Sequence, residues 1–177
     1  MMKIKLGNRI IGENSNPYII AEIGVNHEGS MEIAKKLIDQ ACQGGADAAK
    51  FQSYKADKIA SKNSPSYWDL NKEPTTSQHQ LFQKYDSFEE DDYRELSNYC
   101  DEVGIDFLST PFDLDSVDFL DKLMPFYKIS SSDITNTPLL KRVASKNKVV
   151  VLSTGASKID EIKYAIEILN EFGAENV

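Results

Sequence analysis

The chain has 177 residues, 41% of them hydrophobic and 27% charged, and its formal net charge is −8. This profile is typical of a soluble globular domain, and the sparse glycine and proline exclude collagen-like, disordered and low-complexity classes. The acidic balance argues against nucleic acid as a partner, because binding the phosphate backbone requires a basic face. A single positive pocket for a small anion remains compatible with an acidic protein.

No apolar run approaches the roughly 20 residues that span a bilayer, and the apolar stretch 18–25 is interrupted by Glu22. Residues 1–10 mix lysine, asparagine and arginine, unlike a signal peptide. Cys42 and Cys100 lack C-x-x-C spacing and lie in helical patterns, which indicates buried reduced thiols. We therefore expect a cytoplasmic protein that does not bind a membrane.

Short apolar runs alternate with helical patterns along the chain after a predicted β-hairpin at residues 1–14. The predicted strands are residues 18–25, 48–52, 106–110, 126–130 and 148–154. The predicted helices are residues 30–42, 87–104, 115–124, one that starts at 137, and 157–172. A long connection, from 53 to about 87, follows the second strand. Its Tyr67-Trp68 pair is interpreted either as a lid or as an interaction surface.

Capping residues set several of the predicted helix ends. Residues 87–90 (SFEE) form a capping box, and Gly104 closes the same helix. Thr137 is predicted to be an N-cap with Pro138 at the first helical position, and Ser157 caps the final helix.

Alternating strands and helices imply a parallel sheet with right-handed crossovers, either doubly wound or a β/α barrel. Every predicted strand ends in polar residues, which favours the barrel because a barrel gathers all its carboxyl ends around one pocket. A closed barrel has eight units and about 250 residues. We therefore predict a partial TIM (β/α)8 barrel of about five units, with its strands in sequence order in one sheet and its helices on the convex side.

Lys50 and Lys128 lie within predicted strands and are expected to point inward. A charged lysine in an apolar strand is costly unless it meets an anion, so the pair suggests a bound phosphate or carboxylate. The alternative is a structural ion pair such as Lys50 with Glu22.

Hydroxyl and backbone donors follow two strands, at residues 130–133 and 153–155, and suit phosphate oxygens or ordinary helix caps equally. Glu22 could orient a lysine or act as an acid or base, and His27 could donate a proton. His27 and His79 lack ligand spacing, so they predict no metal site.

Five motifs occur in order: AEIGVNHEG at 21–29, ADAAKFQ at 46–52, STPF at 109–112, YKIS at 127–130 and LSTG at 152–155. Together they resemble the N-terminal barrel region of the sialic acid synthase family, which includes N-acetylneuraminate, legionaminate and pseudaminate synthases and spore-coat polysaccharide proteins. The resemblance implies a transferase that condenses phosphoenolpyruvate with N-acetylmannosamine or a related amino sugar and releases phosphate.

The resemblance also implies roles for individual residues. The phosphoenolpyruvate-binding positions are Lys50, Lys128, Ser153 and Ser131. The sugar contacts are Gln52 and Asp133, although Asp133 stands where a Glu is expected in N-acetylneuraminate synthases. Glu22 matches the active-site glutamate, Asn26 and His27 share its motif, and Thr110 is matched with no defined role.

The family's divalent metal, Mn²⁺ or Mg²⁺, is expected to be held by histidines on strands beyond residue 177. By resemblance, those strands and a C-terminal antifreeze-like domain are missing, so we expect residues 1–177 to be a fragment that is inactive alone. The full-length form is expected to be a homodimer. Two alternatives stay open: a Schiff-base aldolase barrel that uses Lys128 or Lys50, and a non-catalytic half-barrel module.

Overall fold

The computed structural model describes residues 3–177. The strands are β1 (Ile4–Leu6), β2 (Arg9–Ile11), β3 (Ile20–Gly24), β4 (Ala48–Ser53), β5 (Asp106–Pro111), β6 (Tyr127–Ile129) and β7 (Val150–Leu152). The helices are α1 (Met31–Gln43), α2 (Ala56–Ile59), α3 (Gln78–Tyr85), α4 (Glu90–Val103), α5 (Leu114–Leu120), α6 (Thr137–Ala144) and α7 (Ile159–Glu171). Within the described range, no helix has both the length and the apolar character needed to cross a bilayer.

Strands β1 and β2 form an antiparallel hairpin, and Met1 and Met2 of the predicted hairpin lie outside the described residues. The later strands pair in parallel and in sequence order, without a switch point. The predicted single sheet is divided into two hydrogen-bonded ladders, β3-β4-β5 and β6-β7. One reason is local: the backbone N–H of Ser109 in β5 donates to the sulfur of Met124, so it is not available to β6.

Strand β4 is covered on both faces, as expected for a central parallel strand. Its residues 48–51 are all buried, and the rings of Phe51 and Phe107 stack at 5.8 Å between centroids. Helices α1 and α4 pack beside this sheet, and bury Ile38 and Leu96 completely. The core therefore lies between the sheet and its helices, which fixes β4 and the side chains it carries.

Several helix ends differ from the predictions by a few residues. Helix α4 is capped by Glu89 rather than Ser87, because the Glu89 N–H donates to the Asp92 carboxylate at 2.8 Å. Gly104 ends this helix with φ +81°, as predicted. Helix α5 ends at Leu120, and residues 121–124 are turns rather than helix.

The last two helices are also capped one residue away from the predicted position. Asn136, not Thr137, caps α6, and its side chain accepts from the Leu139 N–H at 3.3 Å. Helix α7 follows Lys158 rather than Ser157, because the Lys158 N–H donates to Glu161 at 2.7 Å. The N-cap of α6 thus lies one position before the predicted residue, and that of α7 one position after it.

The amino ends of the strands are closed by the hairpin. Arg9 donates to the Asp47 carboxylate at 2.6 Å, and the Tyr18 hydroxyl donates to Asp106. Gly7 approaches so closely that a Cβ there would lie 1.7 Å from an Asp106 carboxylate oxygen. These contacts cover the amino ends of β4 and β5, whereas the carboxyl ends carry the predicted polar side chains.

The long connection after β4 is folded rather than extended, since it contains α2 and α3. Lys55 ties its two ends together through ion pairs with Asp86 and Glu89. The Trp68 indole donates to two backbone carbonyls of the same connection, while Tyr67 is 77% exposed. Trp68 is therefore part of the folded connection, and only Tyr67 offers a free surface.

Candidate active site

Register places a set of polar side chains on one face of the sheet. Lys50 is the register partner of Glu22, and Gln52 is the register partner of Thr110. Residues two apart on a strand share a face, so these four side chains lie on the same side of the ladder. Phe51 points to the opposite side, toward the helices. The structure thus brings together four of the predicted site residues near the carboxyl ends of β3, β4 and β5.

Lys50 and Glu22 form an ion pair, which is the structural alternative that the sequence leaves open. The Lys50 side chain is 8% exposed, whereas that of Glu22 is 56% exposed. Because the Glu22 carboxylate is mostly open to solvent, an anion that arrives from solvent can compete with it for the Lys50 ammonium group. The ion pair and an anion site are therefore compatible.

Lys128 supplies the second positive charge of the site. Burial lowers the pKa of its ammonium group, the charge of Lys50 lowers it further, and Glu22 opposes the shift. The Nζ donates to the carbonyl of Ile129 at 3.1 Å, and no carboxylate among residues 3–177 forms an ion pair with it. Two lysines and one carboxylate leave a net positive charge, which favours binding of an anion.

The predicted hydroxyl donors lie in adjacent loops after β6 and β7. Ser131 begins a 3₁₀ turn after β6, and a Cβ on Gly155 would lie 3.3 Å from its hydroxyl oxygen. Ser153 extends the ladder, because its N–H donates to the Ile129 carbonyl at 3.1 Å. Ser131 and Ser153 are thus held by neighbouring backbone segments beyond Lys128.

A cavity of about 340 Å³ joins Gln52 to Asp133. The Asp133 carboxylate accepts from the Asn136 amide at 3.0 Å and from the Ser132 hydroxyl at 3.2 Å. These bonds hold the carboxylate at the cavity wall. The structure therefore brings together the two side chains that resemblance assigns to the sugar.

Gly24 lies next to two of the polar side chains on this face of the sheet. It has φ +59° and lies at a shift in the β3–β4 register. A Cβ at this position would lie 3.6 Å from both the Gln52 amide nitrogen and a Glu22 carboxylate oxygen. Glu22 and Gln52 therefore border the same glycine.

His27 is not brought to this face. Its ring stacks on Phe88 at 4.2 Å and packs near Phe51, on the helix side of the sheet. Its Nδ1 accepts from the Gly29 N–H at 3.1 Å, and burial lowers its pKa, so the ring is neutral near pH 7. Its position gives no support to the predicted catalytic role. Asn26 is exposed in the turn before it.

Sequence reasoning missed three polar residues that line the cavity: Lys58, Gln78 and Asn136. Lys58 and Gln78 come from the long connection, to which the sequence analysis assigns no helix or strand. The helical signal was present in part, since the Ser77 hydroxyl caps α3 by accepting from the Gln80 N–H at 3.2 Å. Asn136 could have been identified as the cap of α6.

The described residues offer no protein-built metal site. Residues 3–177 contain no group of three or more His, Cys, Asp and Glu side chains that could hold a metal ion. The His79 Nε2 atom instead forms a hydrogen bond with the Asp57 carboxylate at 2.7 Å. The residues present therefore do not fit the expected divalent metal.

Comparison with known proteins extends these observations. The NeuB family profile matches residues 37–177. N,N'-diacetyllegionaminic acid synthase of Campylobacter jejuni is 44% identical over 160 residues, covering 89% of this chain and 48% of the relative. N-acetylneuraminate-9-phosphate synthase of Homo sapiens is 36% identical over 168 residues, covering 91% of this chain and 45% of the relative. The chain thus spans about half the length of the curated relatives it matches.

A solved structure shows the same arrangement of strands and helices. N-acetylneuraminic acid synthetase from Leptospira borgpetersenii, in complex with citrate, superposes with a TM-score of 0.82 at 30% identity. The match covers 99% of this chain and 57% of that chain. The α/β fold with parallel strands is therefore similar to the corresponding region of a sialic acid synthase. The predicted family relationship is confirmed, and the chain belongs to the NeuB family.

Proposed function

We propose that residues 1–177 form the N-terminal part of a TIM barrel in a synthase that condenses phosphoenolpyruvate with an amino sugar and releases phosphate. The observation that carries the proposal is that the charges of Lys50 and Lys128 interact, and that Lys50 shares a face of β4 with Gln52, which lines a cavity together with Asp133. The names of the relatives support a sialic-acid-type product.

In this proposal the lysines bind the carboxylate and phosphate of phosphoenolpyruvate. Each charge-assisted hydrogen bond contributes about 1.5–3 kcal/mol. Ser131 and Ser153 add donors from the loops after β6 and β7, and Thr110 adds a hydroxyl next to Gln52. A dianion placed between the lysines also relieves the repulsion that lowers the pKa of Lys128.

The sugar occupies the cavity, where Gln52 and Asp133 hydrogen-bond to it. C3 of phosphoenolpyruvate attacks the aldehyde carbon of the open-chain sugar, water adds at C2, and the tetrahedral intermediate collapses by C–O cleavage to release phosphate. Glu22 is positioned to orient Lys50 and to exchange protons with the reacting groups. Asn26 and His27 are assigned to the loop that follows Glu22, with His27 fixing that loop through Gly29.

The five parallel strands correspond in this proposal to five of the eight barrel units, and a full-length enzyme is proposed to be a cytoplasmic homodimer. In this proposal the divalent metal is held by residues outside the described range 3–177, which themselves form no metal site. The remaining strands of a barrel would continue from β7, where the Val150 N–H already donates to the Asn176 carbonyl at 2.8 Å, round to the edge of β3.

Calorimetric titration with phosphoenolpyruvate tests the anion site directly. We expect weak binding by the 177-residue chain and at least about tenfold weaker binding by Lys50→Ala and Lys128→Ala, since each removes a charge-assisted bond. Lys163→Ala, on the exposed side of α7, is the control and should leave binding unchanged. Equal affinity in all three variants would overturn the assignment.

A Schiff-base aldolase is a second candidate, because one observation favours it. A buried lysine next to another cation has a lowered pKa, which makes its amine nucleophilic, and Lys128 fits this description. Borohydride reduction in the presence of pyruvate would attach the keto acid covalently to Lys128 in an aldolase. In a synthase of the proposed kind, mass spectrometry should find no adduct.

A further inference from the structure

We propose that the amino sugar taken by this cavity is uncharged and, in particular, carries no phosphate group. This inference rests on the proposed function and narrows its substrate. The relatives leave the question open, because one is named for a legionaminic acid and another for a 9-phosphate product. Condensation adds three carbons, so a 9-phosphate in the product corresponds to a 6-phosphate in the sugar.

Lys58 is the one cation that the described residues place in the lining of the cavity. Its ammonium group is already engaged by two carboxylates of the segment after β5. It forms an ion pair with Asp115 and lies 3.6 Å from Asp113. The hydrogen bond from Lys58 to Asp115 raises the lysine pKa, so the lysine remains charged and paired.

The charge around Lys58 is therefore negative in sum. Asp113 is buried and fixed as the cap of α5, where it accepts from the Ser116 N–H at 2.9 Å, so it cannot turn away from the lysine. Asp133 adds a further carboxylate on the cavity wall. A phosphate dianion would meet like charge here without a free cation, which costs binding free energy.

The other lining groups suit a neutral sugar with an acylated amine. Gln52, Gln78 and Asn136 offer amide donors and acceptors that match sugar hydroxyl and acetamido groups. Tyr54, Phe82 and Phe112 supply an aromatic wall, and the Tyr54 and Phe82 rings contact edge to face at 5.6 Å. An acetamido methyl group or a sugar ring face can pack against such a wall.

Within the same chain, the anion and sugar regions thus differ in charge. Lys50 and Lys128 form a positive region that contains one exposed carboxylate, that of Glu22. Lys58, in contrast, is neutralised by the two carboxylates of Asp113 and Asp115. The phosphoenolpyruvate phosphate belongs to the first region and the sugar to the second. This separation disfavours binding of a phosphorylated sugar in the sugar region.

Binding of N-acetylmannosamine and of its 6-phosphate to the chain can be compared by nuclear magnetic resonance titration, following the side-chain amides of Gln52, Gln78 and Asn136. We expect the neutral sugar to bind at least about tenfold more tightly. Equal or tighter binding of the 6-phosphate, or no binding of either sugar, would overturn the inference.

Asp115→Asn tests the cause of the preference. Asp115 is exposed in the first turn of α5, and the substitution removes one of the two carboxylates that neutralise Lys58, so the ratio of the two affinities should shrink several-fold. Asp160→Asn removes an equivalent charge from the first turn of α7 and should leave the ratio unchanged. An unchanged ratio in Asp115→Asn would overturn the role of Lys58.

A parallel titration with phosphoenolpyruvate separates this inference from the proposed function. If phosphoenolpyruvate binds and the 6-phosphate is preferred, the synthase proposal stands and the neutral-sugar inference fails. If the neutral sugar is preferred and phosphoenolpyruvate does not bind, the sugar preference stands and the synthase proposal fails.

Discussion

Glu22 and Lys50 are register partners on adjacent parallel strands and form an ion pair across β3 and β4. The lysine is almost completely buried, whereas more than half of the carboxylate is exposed. An arriving anion therefore competes with a carboxylate that water can readily stabilise. Under the proposed function, Glu22 is the partner of Lys50 until an anion takes its place.

Glu22→Gln should bind phosphoenolpyruvate more tightly and yet be less stable than the original chain. The substitution removes the competing carboxylate, but it leaves a buried ammonium without its ion pair. We expect a loss of about 1–2 kcal/mol of unfolding free energy, limited by the exposure of Glu22. Calorimetric titration and chemical denaturation measure the two effects.

Glu95→Gln provides the control for this prediction. Glu95 forms a surface ion pair with Lys35 at 2.7 Å, on helices away from the site. Breaking such an exposed pair should change stability by less than about 1 kcal/mol and leave anion binding unaltered. Weaker phosphoenolpyruvate binding by Glu22→Gln would contradict competition between the carboxylate and the substrate.

Lys128→Met should stabilise the chain at neutral pH while abolishing anion binding. The folded state holds the Lys128 proton less firmly than the unfolded state, because burial and Lys50 lower its pKa. Removing the charge should raise stability by roughly 1 kcal/mol, or about 2–4 °C in melting temperature. The gain should disappear above the ordinary lysine pKa, where Lys128 is neutral in both states.

The control is Lys122→Met, which removes an exposed lysine in the turn after α5. Thermal melts near pH 7 and near pH 11 should show a pH-dependent difference for Lys128→Met alone. A lower melting temperature for Lys128→Met at neutral pH would show that Lys128 stabilises the fold rather than the bound anion.

Anion affinity should fall with rising pH before an ordinary lysine titrates. Binding requires charged Lys128, whose pKa lies below the usual range because of burial and the Lys50 charge. Bound anion raises that pKa again, so binding takes up protons in the alkaline range. Titrations with phosphoenolpyruvate between about pH 7 and 10, in buffers of different ionisation enthalpy, would measure both effects.

Lys128→Arg should remove most of this pH dependence, since guanidinium stays charged throughout the range. Lys163→Arg, an exposed substitution of the same type on α7, should retain it. A steep alkaline fall that persists in Lys128→Arg would assign the titration to another group.

The face of the sheet that carries Lys50 and Gln52 could be predicted from sequence, because it depends on local geometry. Alternation along a strand places Lys50 and Gln52 on one face, and five apolar runs separated by helical patterns imply parallel order. The break between β5 and β6 could not be predicted, because it depends on where the side chain of Met124 reaches.

The cavity and the position of His27 depend on contacts between distant segments. Lys58 and Gln78 reach the cavity because the long connection folds back, with His79 bonded to Asp57 within it. His27 belongs to a motif rich in polar residues, which suggested chemistry. His27 is buried because its ring stacks on Phe88, which comes after the whole long connection. No local sequence pattern indicates that these two residues are neighbours in space.

Gly24→Ala should separate backbone strain from side-chain placement at the site. Gly24 and Gly45 both have positive φ, +59° and +80°, so alanine at either position should cost about 1–2 kcal/mol of stability. A Cβ on Gly45 meets nothing within 4 Å, whereas one on Gly24 contacts Glu22 and Gln52 at 3.6 Å. That methyl group would restrict the two side chains without a severe clash. We therefore expect similar losses in chemical denaturation, but weaker binding of N-acetylmannosamine for Gly24→Ala alone. Equal loss of sugar binding in Gly45→Ala would mean that general destabilisation, and not the position of Glu22 and Gln52, controls the affinity.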